Sequence, residues 1–360
     1  MDYTKTELLS NRYKRIIKNA ELYEKLYCHN HTPLVMSILV TNRCTLRCKH
    51  CFNHINSGIT SQQICSEELS LTEYEKISLS MGTFMKALFS GGEPFIREDL
   101  KDIVLLFVRN NNLSHISITT NGQDEESIFG QTEYILSKLP NNVQLSLGFS
   151  IEGFEEVHDR IRGKGTYNKS ISAWKKCNEL RKRYKNFDMY ICSTMNAINE
   201  NRLSDFFSWE IDNLCPNAVA LLKVRQNPRD GEYLKNISMK NYYEARKIIE
   251  EAIDRGRLGD INMPQTYVNI QICDYVIETI KTGQRAFECF AGKYGGFINP
   301  IGDVGACEVL SPYGNLREYN YNFLELWDKF IGNTCKNSSC DLCTHETEGI
   351  IPSMYFGKNK

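Results

Sequence analysis

Short apolar runs alternate with longer amphipathic stretches between residues 33 and 256 of the chain. The runs are nearly continuous in apolar residues, which is typical of strands buried on both faces. The longer stretches have helical character, and Ser70 with Glu73 forms a capping box before the first of them. The predicted strands are 33–40, 86–90, 114–119, 142–151, 188–195 and 218–225, and the predicted helices are 72–85, 97–110, 126–139, 168–183, 200–212 and 239–256.

The order of these elements predicts the fold. Six strand–helix units in series indicate a parallel sheet, because parallel strands are joined by helical crossovers. Six units are too few to close an eight-stranded barrel, so the expected class is α/β, an open partial (β/α)6 barrel of the TIM type with functional loops at the carboxyl ends of its strands. After residue 284 the periodicity weakens, and segments rich in Gly, Asn and Cys predict a small domain organised around metal. The predicted parts are a helical lead-in at 1–32, the barrel at 33–284, the cysteine-rich domain at 285–348 and a tail at 349–360.

Composition and charge narrow the function classes. The 360 residues are 41% hydrophobic and 24% charged, with 43 Lys and Arg against 44 Asp and Glu, so no basic surplus indicates a nucleic-acid partner. Charges recur through the first residues and no stretch reaches the roughly 18 apolar residues of a membrane helix, so neither a signal peptide nor a membrane partner is expected. A cytoplasmic protein is predicted, in which the 14 Cys stay reduced and the closely spaced ones are metal-ligand candidates.

Three cysteines directly after the first strand form the strongest local signal. Cys44, Cys48 and Cys51 have the spacing C-x3-C-x2-C. Three thiolates satisfy three irons of a four-iron cluster and leave the fourth iron open, as catalytic metal sites require. A zinc site is the alternative, with His50 or His54 as the fourth ligand.

This loop resembles the signature of the radical S-adenosylmethionine (radical SAM) superfamily, C-x3-C-x-aromatic-C, with His50 at the aromatic position. The resemblance implies that the open iron of a [4Fe–4S] cluster chelates the amino and carboxylate groups of SAM. Electron transfer, from a donor such as flavodoxin or ferredoxin, then breaks a carbon–sulfur bond. The resulting 5′-deoxyadenosyl radical abstracts hydrogen from the substrate, while the protein positions and shields the cofactors.

Three further motifs follow successive strands and resemble SAM-binding elements of the same family. GGEP at 91–94 and TTNG at 119–122 would otherwise be ordinary turns. SIEG at 150–153 leads into HDRIRG at 158–163, with Glu152 where the family usually has Asp. The resemblance assigns SAM contacts to Gly91, Gly92, Glu93, Pro94, Thr120, Asn121, Ser150 and Arg162.

The carboxy-terminal cysteines resemble an auxiliary cluster domain. Cys289 and Cys307 fit C-x12-G-x4-C, the entry of SPASM and twitch domains, and three more cysteines follow with the spacing C-x4-C-x2-C. A full SPASM domain carries seven cysteines and two clusters, so five cysteines imply the twitch type with one auxiliary Fe–S cluster, of the [4Fe–4S] kind. Zinc remains the alternative. The implied ligands are Cys289, Cys307, Cys340 and Cys343, with Cys335 as the alternative ligand.

The expected reaction is of oxidoreductase type, with the auxiliary cluster as electron acceptor or relay. Peptide-modifying relatives often carry a leader-binding domain before the cysteine loop, and only 43 residues precede Cys44 here. This favours a small polar metabolite, such as a sugar or amino sugar that is oxidised or epimerised, with Lys223, Arg225 and Arg229 as anion contacts. The first alternative is a maturase that introduces a thioether, a carbon–carbon bond or an epimerised residue into a ribosomally made peptide. The second is a non-enzymatic zinc- or cluster-binding protein, and no residue is identified as a catalytic acid or base.

Overall fold

A computed structural model describes most of the chain. The described residues are 32–52, 67–225, 227–235, 237–259, 268–331, 340 and 343–344. The predicted lead-in up to residue 31, His54, Cys335 and the predicted tail lie outside them. No helix among the described residues is long and apolar enough to cross a bilayer.

The described strands form one nine-stranded sheet in the order β6-β5-β4-β3-β2-β1-β7-β8-β9. β1 to β6 are all parallel and each follows its predecessor, so the predicted series of parallel strands is confirmed. The strands are β1 Val35–Thr41, β2 Lys86–Gly91, β3 His115–Thr120, β4 Gln144–Ser150, β5 Phe187–Met195, β6 Ala218–Lys223, β7 Gly295–Ile298, β8 Asp303–Gly305 and β9 Gly314–Asn315.

Helices connect successive parallel strands, as expected for right-handed crossovers. The capping box of Ser70 and Glu73 is present at the start of α1. The stretch predicted as one helix at 168–183 is two helices that divide at Glu179, and a helix not predicted from the sequence covers Val268–Thr282. The helices are α1 Leu71–Met81, α2 Leu100–Asn111, α3 Glu125–Lys138, α4 Glu155–Arg162, α5 Thr166–Asn178, α6 Leu180–Arg183, α7 Leu203–Asn213, α8 Met239–Asp254, α9 Val268–Thr282 and α10 Phe323–Phe330.

The two faces of the sheet differ in chemistry. Alternate strand residues face opposite sides, and the apolar set packs on the helices, as when Phe149 meets Trp174 with ring centroids 5.4 Å apart. The other set is polar and faces the barrel interior. Hydrogen bonds join neighbouring strands there, between Ser90 and Thr119 at 2.9 Å and between Ser146 and His115 at 3.1 Å. A further one, between Ser117 of β3 and Tyr190 of β5 at 3.0 Å, crosses over β4.

The strands after residue 284 extend the same sheet. β7 pairs parallel with β1, and β8 and β9 continue antiparallel from β7. The ring of Trp327 on α10 lies so close to Gly296 that a Cβ there would be 2.7 Å from it. Trp327 is fully buried with Phe323 and Leu326 in the core that also contains the barrel strands. Residues 295–330 therefore share the sheet and the core of the barrel, and their separation as a domain stays a prediction.

Candidate functional site

The three cysteines of the first loop lie together where β1 ends. The Cys51 N–H donates to the Cys48 carbonyl at 3.2 Å, which folds the second half of the loop into a turn. Burial, with added repulsion from the Cys48 and Cys51 thiols, raises the pKa of Cys44 to about 11. Thiols that oppose one another's ionisation suit a cationic metal cluster, because the metal supplies the missing positive charge.

The glycine pair after β2 packs against the backbone that leads into the cysteine loop. Gly92 N–H donates to the Thr41 carbonyl at 2.7 Å, and Glu93 N–H donates to the Arg43 carbonyl at 2.8 Å. A Cβ on Gly91 would lie 2.2 Å from the Thr41 oxygen, and one on Gly92 would lie 2.0 Å from the Arg43 oxygen. In this structure the close approach that glycine permits is therefore made to the cysteine loop.

Glu68 anchors the same stretch of backbone, although no motif in the sequence marks this residue. Its Oε1 accepts hydrogen bonds from the Thr41 hydroxyl at 2.6 Å and from the Asn42 N–H at 3.0 Å. Its Oε2 lies 3.4 Å from a guanidinium nitrogen of Arg43. One buried carboxylate thus holds the last residue of β1 and both residues of the link to Cys44.

We expect Glu68→Ala to lower the free energy of unfolding of the cluster-free protein by about 2 kcal/mol, because the substitution leaves the buried Thr41 hydroxyl and the half-buried Asn42 N–H without this acceptor. Denaturant unfolding measures the change. The matched control is Glu75→Ala, which removes a carboxylate that is 48% exposed and pairs with Arg109 at the surface. The control should shift stability by no more than about 0.5 kcal/mol, and equal effects of the two substitutions would contradict the anchoring role.

Glu93 joins the GGEP loop to the TTNG loop. Its Oε1 accepts from the Thr120 hydroxyl at 2.8 Å, and its Oε2 accepts from the Asn121 N–H at 2.7 Å. Burial raises the pKa of Glu93 to about 7 although these hydrogen bonds oppose the rise. The Asn121 side chain continues the connection, since its Nδ2 donates to the Thr45 hydroxyl at 3.1 Å and lies 3.7 Å from the Cys44 sulfur. Two of the predicted SAM motifs are thus tied directly to the cysteine loop.

The fourth strand brings its motif to the other side of the cysteines. Glu152 is fully buried, and its Oε1 accepts from Arg162 at 2.6 Å. A second guanidinium nitrogen of Arg162 lies 3.7 Å from the Cys48 sulfur. The register places Ser150 at the end of β4 opposite Cys192 of β5. Burial lowers the pKa of His50 to about 4, so this ring is neutral near pH 7.

The loop after β6 closes the cysteine loop from a third side. The Arg229 N–H donates to the Cys51 carbonyl at 2.9 Å, and the Asp230 N–H donates to the Lys49 carbonyl at 2.9 Å. These contacts place the loop at the barrel mouth. Because both are backbone contacts, the loop holds the cysteine segment irrespective of its own side chains.

Arg225 is engaged with protein groups at the position where the sequence analysis predicted an anion contact. Its guanidinium stacks over the Phe52 ring at 4.5 Å and lies 3.2 Å from the Glu308 carboxylate. Phe52 directly follows Cys51, and Glu308 directly follows Cys307. Arg225 therefore connects the first cysteine loop with the carboxy-terminal cysteines. Lys223, another of the three predicted anion contacts, is partly buried, and burial lowers its pKa.

The carboxy-terminal cysteines approach one another next to this bridge. Burial raises the pKa of Cys289, and Cys307 and Cys340 contribute to the rise, so the three thiols lie within electrostatic range. The Cys343 N–H donates to the Cys340 carbonyl at 3.4 Å. Within the described ranges, no three His, Cys, Asp or Glu side chains are close enough to hold a single metal ion.

Comparisons with known proteins agree with the motifs. The model of the radical SAM superfamily matches residues 38–201. The sporulation killing factor maturation protein SkfB of Bacillus subtilis (strain 168) is 26% identical over 340 residues, which cover 91% of this chain and 73% of that protein. The PqqA peptide cyclase of Bradyrhizobium diazoefficiens is 26% identical over 290 residues, which cover 77% of this chain and 67% of that protein.

Solved structures show the same fold. SuiB of Streptococcus suis bound to S-adenosylmethionine has a TM-score of 0.59 and 15% sequence identity, and the match covers 94% of this chain and 80% of that chain. SuiB bound to the precursor peptide SuiA gives the same TM-score and identity, with 96% and 76% covered. These likenesses confirm the partial barrel with a carboxy-terminal extension.

Proposed function

Residues 38–201 belong to the radical SAM superfamily, and from this premise we propose that the protein is an enzyme that modifies a peptide. Its cofactors are SAM and Fe–S clusters, as in that superfamily. The relatives SkfB and PqqA peptide cyclase are named for maturation of a killing factor and cyclisation of a peptide, and the first covers 91% of this chain. This supports the peptide alternative over the small polar metabolite that the sequence analysis favoured.

The observation that carries the proposal is the enclosure of three thiols, on the loop after β1, by the loops that follow β2, β3, β4 and β6. Cys44, Cys48 and Cys51 would hold the cluster, because their neighbouring groups fix the loop by backbone hydrogen bonds and no protein group other than these thiols is needed as a ligand. When bound, the cluster and SAM supply reductive cleavage of a carbon–sulfur bond. These residues fit an Fe–S cluster because the Cys44, Cys48 and Cys51 thiols oppose one another's ionisation, and the metal supplies the positive charge that they lack.

The residues predicted to contact SAM would bind it through the charge of Glu93, the close packing of the two glycines and the hydroxyl of Ser150. Oε1 of Glu93 accepts two hydrogen bonds within the protein, from the Thr120 hydroxyl and the Phe95 N–H, whereas Oε2 accepts one from the Asn121 N–H and keeps a further lone pair, which suits an ammonium group. Gly91 and Gly92 keep the cysteine loop against β2, and Pro94 begins the short 3-10 turn Pro94–Ile96 that follows. Ser150 offers a hydroxyl at the barrel mouth, beside β5.

The carboxy-terminal thiols would hold the auxiliary cluster. Cys289, Cys307, Cys340 and Cys343 lie in the described part of the chain, and the proximity of the first three supports their assignment. The cluster would accept or relay an electron when the peptide is oxidised. Arg225 would hold this site against the first cysteine loop through Glu308 and Phe52.

The test uses the full chain, purified and reconstituted anaerobically, with SAM and a chemical reductant. Synthetic peptides encoded by short reading frames next to the gene are the probes, and a panel of nucleotide sugars is the comparison. We expect deoxyadenosine formation and a peptide that loses two hydrogen atoms or incorporates deuterium from heavy water, measured by mass spectrometry. Turnover of a nucleotide sugar and of no peptide would contradict the proposed substrate class. A purified protein that is colourless, contains zinc and leaves SAM intact would contradict the proposal that the protein is an enzyme.

A further inference from the structure

Arg162 connects a carboxylate to a cysteine sulfur. It is the last residue of α4, the helix that follows the fourth strand. Its Nε and one terminal nitrogen both donate to Oε1 of Glu152, at 3.0 and 2.6 Å. The other terminal nitrogen lies 3.7 Å from the Cys48 sulfur, a hydrogen-bonding distance for sulfur. The two ends of the guanidinium are therefore both engaged by protein groups.

Glu152 is itself held from several directions. Its Oε2 accepts from the Thr194 N–H at 2.8 Å, its backbone N–H donates to Nδ1 of His158 at 3.2 Å, and its carbonyl accepts from Asn199 at 3.1 Å. The residue has no exposed surface. Because the carboxylate has no room to swing, it fixes the orientation of the guanidinium that it binds.

The charges in this group favour the same arrangement. Burial opposes ionisation of Glu152, but the charge of Arg162 and the hydrogen bond from the Thr194 N–H outweigh it and hold the pKa of the carboxyl below its ordinary value. The Arg162 guanidinium stays charged, and one of its terminal nitrogens lies 3.7 Å from the Cys48 sulfur, so positive charge lies next to that sulfur.

We propose that Arg162, oriented by Glu152, is a positioning residue that donates to the Cys48 sulfur and raises the reduction potential of the cluster bound there. This deepens the proposed function and rests on its assignment of Cys48 as a ligand. Hydrogen bonds and positive charge next to a cluster sulfur stabilise the reduced cluster, which carries one more negative charge.

This role differs from the one that the family resemblance implies for Arg162, contact with the SAM carboxylate. Glu152 stands where the family usually has Asp, and its longer side chain reaches both Arg162 and the Thr194 N–H. The two roles predict different measurements. A carboxylate contact governs SAM affinity, whereas a sulfur contact governs the potential measured without SAM.

The test compares Arg162→Gln and Arg162→Lys with the wild-type holoenzyme. Electron paramagnetic resonance during a redox titration without SAM gives the potential of the cluster whose signal changes when SAM is later added. We expect Arg162→Gln to reduce the ratio of reduced to oxidised cluster about tenfold at a fixed potential, which is a shift of about 59 mV for one electron. Lys keeps the charge but loses the planar fork, so Arg162→Lys should recover part of the shift.

Arg160→Lys is the matched control, because Arg160 lies on the same helix with an exposed side chain. It should leave the potential unchanged. If circular dichroism shows that Arg162→Gln is folded but the variant retains no iron, the reduction potential of Arg162→Lys tests the proposal instead. Potentials equal to wild type in the Arg162 variants would overturn the proposal, and an accompanying roughly tenfold rise in the SAM dissociation constant would assign Arg162 to the carboxylate. A wild-type protein that binds no iron would overturn the ligand assignment and this proposal together.

Discussion

Alanine at any one of Cys44, Cys48 and Cys51 is expected to reduce deoxyadenosine formation to the level of a protein-free control. The physical reason is that three thiolates are the minimum that holds three irons of a four-iron cluster and leaves the fourth iron open to SAM. Two thiolates leave a second iron without a protein ligand, and the cluster is lost. Chromatographic measurement of deoxyadenosine, with iron and sulfide analysis, gives both effects.

Cys215→Ala provides the control for this prediction. Cys215 is an exposed free cysteine that follows α7, and no site described above includes it. Its replacement should leave iron content and SAM cleavage at wild-type values. Undiminished deoxyadenosine formation in the three loop variants would contradict the assignment of these cysteines, whatever the carboxy-terminal cysteines bind.

Gly92→Ala is expected to abolish SAM cleavage and to lower the free energy of unfolding by about 3 kcal/mol. A Cβ at this position would lie 2.0 Å from the Arg43 oxygen and 2.6 Å from the Arg43 carbonyl carbon. Both are backbone atoms of the link to Cys44, so the link has to move as a whole. The hydrogen bond from Gly92 to Thr41 would break with it. Iron content, SAM cleavage and denaturant unfolding are the three measurements.

Gly130→Ala separates this effect from a general effect of losing a glycine. Gly130 lies within α3, and a Cβ there would meet nothing within 4 Å. Alanine in a helix interior should raise stability by about 0.5–1 kcal/mol and leave the iron content unchanged. Equal behaviour of the two variants would show that the approach of Gly92 to Arg43 does not hold the cysteine loop.

The sequence predicted those parts of the fold that depend on local patterns. The six apolar runs correspond to the six parallel strands, because each strand places an apolar residue at every second position, on the face that packs against the helices. The interior face is polar, so the strands alternate more than the nearly continuous apolar pattern predicted. The predicted helix at 168–183 divides at Glu179, where neither Gly nor Pro marks the break. β7 is four residues long and contains two glycines, so its sequence has no apolar periodicity from which a strand paired with β1 could be predicted.

The candidate site shows the same limit. The cysteine spacing and the motifs after the strands are local, and the sequence located them. The partners of these residues are distant in the chain, as with Arg162 and Cys48, which are 114 residues apart. Glu68 carries no motif, and the pairing of Arg225 with Glu308 spans 83 residues. Such contacts form only when the tertiary fold brings distant residues together, so no local pattern in the sequence predicts them.

The pairing of β1 with β7 has a consequence for synthesis on the ribosome. Val35 of β1 pairs with Gly295 of β7, so this edge of β1 cannot pair with β7 until about 260 further residues have been synthesised. At about 5–20 residues per second, this delay is on the order of 10–50 s. Throughout that time the nascent chain presents an open row of amide and carbonyl groups, which is the kind of edge that recruits chaperones or other chains. Because β1 pairs with β7 so late in synthesis, the nascent protein is vulnerable to aggregation until β7 has emerged from the ribosome.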